Sequence, residues 1–170
     1  MKLPVTPSFS LQGRLALVAG GSSGIGLGCA VALAEAGAHV VVMARRKDQL
    51  DTVVAAMTDA GHSAEALVGD LADIEATSTF IDAIRPLDVF VNSAGMARHS
   101  PATETAVDDF DAVMNVNLRG AYFASQAVAK AMIADGRPGS IINISSQMAI
   151  VGGVDRAVDC ASKHAVEGFT

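Results

Sequence analysis

Apolar residues in this chain fall into two patterns. Short continuous runs occupy 15–19, 40–43, 64–68, 87–91 and 140–145, and most are bounded by glycine, asparagine or charged residues. Runs of that length and setting predict buried strands. Between them, apolar positions recur at helical spacing over 26–36, 47–60, 74–84 and 107–133, and a last helix begins near Arg156. Gly37 and Gly61 stop the first two helices and Pro86 closes the third. Strands alternating with helices predict an α/β fold: a doubly wound parallel sheet covered on both faces. A crossover helix normally feeds a further strand. The sheet is therefore expected to be truncated after its fifth strand and the helix that follows, in a fragment or in a chain completed by association.

The 170 residues suit one domain over 1–170, and 51% hydrophobic against 18% charged residues excludes disorder. A net charge of −6 argues against nucleic acid or an acidic membrane as partner. The opening MKLPVTPSFSLQGR lacks the apolar centre of a secretion signal, and no run approaches the roughly 18 apolar residues of a membrane span. Cys29 and Cys160 stand apart and the four His do not cluster. That usage reads as reduced thiols in a cytoplasmic protein without a metal site. His99 and His164 read as ordinary polar residues.

After the first strand the chain runs Ala19-Gly20-Gly21-Ser22-Ser23-Gly24-Ile25-Gly26 into a helix. Glycines there let the backbone turn sharply and approach a pyrophosphate seated on the helix N-terminus, as in a Rossmann-type fold. The spacing, with glycines at 20, 24 and 26, departs from the generic G-x-G-x-x-G.

These residues resemble the short-chain dehydrogenase/reductase family, whose signature is T-G-x-x-x-G-x-G, with Ala19 standing where the threonine would. Further matches follow in the family's order. Asp70-Leu71 falls where the family holds the adenine ring. Asn92-Ser93-Ala94-Gly95 resembles N-N-A-G. Asn117, Ser146 and Lys163 match the catalytic asparagine, serine and lysine, with Ser145 an alternative to Ser146. The resemblance implies cofactor contacts from Gly20, Ser22, Ser23, Gly24, Ile25, Gly26, Asn92, Ala94, Gly95 and Lys163.

An acidic residue at the end of the second strand would favour NAD. This chain has Ala44 there, followed by Arg45, Arg46 and Lys47. Adjacent cations suit a 2'-phosphate, which Arg grips bidentately, so NADP(H) is expected with NAD(H) possible. The alternative is a solvated charged loop.

The family's catalytic tyrosine falls four residues before the lysine, and that position is Asp159. Residues four apart share a helix face, so position 159 still points into the site. The chemistry differs: a phenol titrates near 10 and an aspartate near 3.9, lower still beside an ammonium. The one tyrosine, Tyr122, has nothing to place it beside Lys163, and Cys160 and Ser162 are expected to face elsewhere. The resemblance thus implies hydride transfer between NADP(H) and a ketone or secondary alcohol, impaired in this chain. The competing reading is a non-catalytic NADP(H)-binding protein or oligomer partner; Lys163 and Asp159 would then form an ordinary surface ion pair. Substrate contacts are expected from Met96, Ala97 and Arg98 and from 147–151, which suit a small carbonyl or alcohol compound. The family also implies a homo-oligomer, a dimer or tetramer, formed through the long helix and the Lys-bearing helix.

Overall fold

The computed structural model describes residues 6–170. The first five residues of the opening segment, on which part of the secretion-signal reading rests, lie outside them. Five strands form one parallel sheet in the order β3-β2-β1-β4-β5. They are β1 (Leu15–Ala19), β2 (His39–Ala44), β3 (Ala64–Val68), β4 (Val89–Asn92) and β5 (Ser140–Asn143). The helices are α1 (Gly24–Glu35), α2 (Lys47–Asp59), α3 (Ile74–Ala83), α4 (Val107–Met114), α5 (Ala121–Ala134) and α6 (Ala157–Phe169). The doubly wound parallel architecture expected from the apolar pattern is the one observed.

Alternation along the strands builds two cores. Leu17, Val41, Met43 and Phe90 face α3 and α5, where they meet Ile81, Val128 and Met132. Ala16, Val18, Val40, Val42, Val89 and Val91 face the other way, onto Ala30 and Ala34 of α1 and Leu50 and Met57 of α2. Side chains on successive strand residues point to opposite faces, so continuous apolar strands require cover on both. The strand order reverses between β1 and β4, and in such sheets the crevice at the carboxyl ends of the switching strands is where ligands sit.

The reading of 107–133 as one uniform helix needs correction. A six-residue π-helical segment, Asn115–Gly120, separates α4 from α5. Gly120 explains part of it: a Cβ there would lie 2.7 Å from the Leu71 carbonyl oxygen, so this turn is pressed against the loop after β3. Single π turns inside α-helices mark functional positions often enough to direct attention to the buried residue within this one, Asn117. β5 also ends earlier than the apolar run suggests. Among the described residues, no helix is long and apolar enough to cross a membrane.

Candidate cofactor and reaction site

The glycine turn is shaped by close approaches. At Gly20, with φ of 76°, a Cβ would lie 2.6 Å from the Ala94 nitrogen, so the turn touches the chain leaving β4. At Gly26 a Cβ would lie 2.2 Å from the Gly20 carbonyl oxygen, which keeps the first turn of α1 against the loop. Ser23 is the N-cap of α1 in an extended conformation, yet its hydroxyl makes no capping bond, and no acidic residue occupies the first turn. The helix start therefore presents N–H groups and a free hydroxyl, the arrangement that takes an anion.

This helix start opens on a cleft of about 550 Å³ at the switch point. Gly20, Ser22, Ser23, Ile25, Arg45, Arg46, Asp70, Leu71, Ala94, Gly95 and Lys163 all line it, together with Asp159. Gly24 and Gly26 shape the turn without lining the cleft. Asn92 is placed differently: its Nδ2 donates to Asn143 Oδ1 at 3.2 Å, and its own Oδ1 is buried without a partner. Met43, Gly69 and Ile144 at strand ends and Val116 in the π-helical segment line the cleft without having been singled out, because small or apolar residues there carry no sequence mark of a ligand.

The three cations after β2 have separate roles. Arg45 Nη1 lies 3.8 Å from Asp70 Oδ2 across the mouth of the cleft. Arg46 lines the cleft as the N-cap of α2. Lys47 is committed elsewhere, donating to Asp51 Oδ2 at 2.6 Å. The Arg45–Asp70 pair is exposed and contributes little to stability. Its consequence is placement, since it draws a guanidinium over one end of the cleft.

At the other end stand Asp159 and Lys163 on α6. Asp159 is 8% exposed. Lys163 Nζ does not form the i,i+4 ion pair open to it; it donates to the Ile144 carbonyl oxygen at 2.8 Å. Burial pushes the Lys163 ammonium below the usual lysine range, and the charge of Asp159 opposes that shift. The early end of β5 is what frees the Ile144 carbonyl for this bond.

Asn117 does not line the cleft but supports it. Its Oδ1 accepts from the Met96 N–H at 2.9 Å and its Nδ2 donates to the Met96 carbonyl at 2.8 Å, so both polar atoms of one lining residue are held. Nδ2 also donates to Ser162 Oγ at 3.1 Å, and Ser162 donates to the Asp159 backbone oxygen at 2.8 Å. Ser162 is completely buried and does not line the cleft; it touches the reaction end through Asn117. Its single proton is spent on a carbonyl, so toward Asn117 it offers only lone pairs, and this fixes which way the amide points.

Ser146 Oγ accepts from the Met148 N–H at 3.1 Å, starting the short 3₁₀ turn Gln147–Ala149, while Ser145 Oγ is buried without a partner. Neither lines the cofactor cleft. Just beyond the two segments expected to meet substrate, the chain after β4 is joined to the start of α6: the Ser100 N–H donates to the Asp155 carbonyl at 3.0 Å, and His99 pairs with Arg156. Tyr122 lies away from this, packed edge-to-face on Phe123 and Phe169. Among the described residues no three His, Cys, Asp or Glu side chains gather as metal ligands.

Comparison with known proteins follows the same geometry. The family model described as short chain dehydrogenase matches residues 14–170. L-xylulose reductase of Mesocricetus auratus is 41% identical over 162 residues, covering 95% of this chain and 65% of that protein. The 2-dehydro-3-deoxy-D-gluconate 5-dehydrogenase of Dickeya dadantii is 36% identical, covering 96% and 65%. A gluconate 5-dehydrogenase structure from Burkholderia cenocepacia, in complex with NADP and tartrate, superposes with a TM-score of 0.89 at 38% identity, covering 96% of this chain and 65% of that one. The chain thus spans about 65% of the length of the curated relatives it matches.

Proposed function

The chain is a member of the short-chain dehydrogenase family, a family of oxidoreductases, and we propose that it binds NADP(H) in the switch-point cleft and is impaired in proton delivery. The observation carrying this reading is that Arg45, Arg46, the open start of α1 and Lys163 line a single cleft. The spread fits a phosphorylated dinucleotide: cations for a 2'-phosphate at one end, a helix start for the pyrophosphate in the middle and Lys163 beside the reacting ring. The NADP held by the Burkholderia cenocepacia neighbour supports the same cofactor.

When bound, NADPH would supply the hydride that converts a carbonyl carbon, with a proton to its oxygen, into a secondary alcohol. In this chain Lys163 would hold the ribose side of the cofactor and Ser146 the substrate oxygen, while Asn117 fixes the Met96 peptide that lines the cleft. The proton donor is the weak point, because position 159 carries a carboxyl group where the family places a phenol. Asp159 is also shorter than the tyrosine the family places there. The names of the relatives point to a small polyhydroxylated carbonyl or alcohol compound as substrate.

The substitution at 159 gives the second reading its footing: an NADP(H)-binding protein without turnover, acting as a sensor or oligomer partner. A single nucleotide-binding domain over 1–170, a cytoplasmic setting and a dimer or tetramer belong to either reading. The cofactor proposal is tested by fluorescence titration with NADPH and NADH. Tighter binding of NADPH by tenfold or more is expected; equal affinities would remove any part for Arg45 and Arg46 in phosphate recognition.

A further inference from the structure

Next to the reaction end lies a pair of side chains that hydride transfer does not use. Arg156 Nη1 is 3.1 Å from His99 Nε2, and the pair bridges the segment after β4 to the start of α6. We propose that Arg156, held by His99, is a subsite for a carboxylate, so that the substrate is a small hydroxy or keto acid and not a neutral sugar or polyol. The inference rests on the proposed function, whose substrate it narrows.

Three observations set Arg156 beside the reaction end of the cleft, whose wall it does not itself line. Arg156 is the N-cap of α6, three residues before Asp159 and seven before Lys163, so it stands at the start of the helix that carries both. Its stem passes over Gly153, next to Met148: a Cβ on Gly153 would lie 2.8 Å from Arg156 Cδ and 3.0 Å from Met148 Sδ, and the Met148 N–H donates to Ser146 Oγ. The Ser100 to Asp155 backbone bond closes the same two segments a second time, one residue along on each side.

The charge of Arg156 is unspent. Among the described residues it makes no ion pair, whereas the nearby Arg98 lies 3.5 Å from Asp109. A guanidinium only donates, so His99 Nε2 accepts and its ring proton sits on Nδ1. His99 therefore orients the fork without adding a competing anion. The remaining N–H groups of Arg156 form the planar donor set that matches a carboxylate with two parallel bonds.

The test uses the full chain saturated with NADPH and two probes of equal carbon count, D-gluconate and D-glucitol, titrated by calorimetry. Gluconate is expected to bind at least tenfold more tightly. Arg156→Met keeps a similar stem without the charge and should bring the two probes within twofold of each other; Arg156→Lys should retain only part of the preference. NADPH affinity, measured on each variant, should not change and reports that the fold survives. Equal binding of the two probes by the native chain, or a preference that persists in Arg156→Met, overturns the carboxylate subsite. Failure of the native chain to bind NADPH would instead overturn the proposed function.

Discussion

The two ends of the cleft flank one switch point, yet they rest on different features. The cofactor end depends on backbone shape: Gly20 and Gly26 allow approaches that a Cβ would block, and the start of α1 is left open. The reaction end depends on one functional group in one place. Its frame is intact, with Lys163 on the Ile144 carbonyl and Asn117 on the Met96 peptide, but position 159 presents a carboxylate. In the proposed reading, binding and chemistry fall to separable parts of one cleft, and a substitution that ends the second leaves the first in place.

The largest effect that would sharpen this contrast is a gain. Asp159→Tyr should raise the rate of NADPH-dependent ketone reduction by about 10²–10⁴, the usual worth of a positioned general acid; stopped-flow absorbance of NADPH reads it directly. An unchanged rate would mean that the reaction end is deficient in more than its proton donor. At the opposite end, Gly26→Ala brings a Cβ to 2.2 Å from the Gly20 oxygen, so the turn must deform. NADPH affinity is expected to fall by about a hundredfold, as loss of two charge-assisted bonds to the pyrophosphate would produce at about 1.5 kcal/mol each.

Replacing both Arg45 and Arg46 by Ala should weaken NADPH binding about tenfold and leave NADH unchanged, which places the discrimination in the 2'-phosphate. A parallel loss for both nucleotides would assign the arginines to the fold of the loop. The smallest effect is expected from Ser162→Ala in the Asp159→Tyr background. Losing one hydrogen bond to Asn117, worth about 1 kcal/mol, should slow reduction about fivefold without altering NADPH affinity. A change in affinity alone would remove Ser162 from the reaction end.

How much of this was legible in the sequence depends on what each residue does. The strands and the glycine turn were readable because burial on both faces and close backbone approach restrict residue type strongly. Arg45 and Arg46 stand in the cleft as their position after β2 suggested. The π-helical segment at Asn117 was not legible, since one extra residue in a helical turn leaves the apolar spacing nearly unchanged. Ser162 was missed because a rotation estimate from an ideal helix ignores a neighbour close enough to bond it. Asn92, expected to meet the cofactor, turns to Asn143 across the β4–β5 ladder. An asparagine at a strand end carries no mark of which partner it takes.

The separation of the two ends is tested most directly by a paired titration of NADPH into the native chain and the Asp159→Tyr variant, followed by nicotinamide fluorescence. Both should bind with affinities within twofold of each other, although only the variant reduces a ketone rapidly. A native chain that fails to bind NADPH, or binds it more than tenfold less tightly than the variant, would contradict the account.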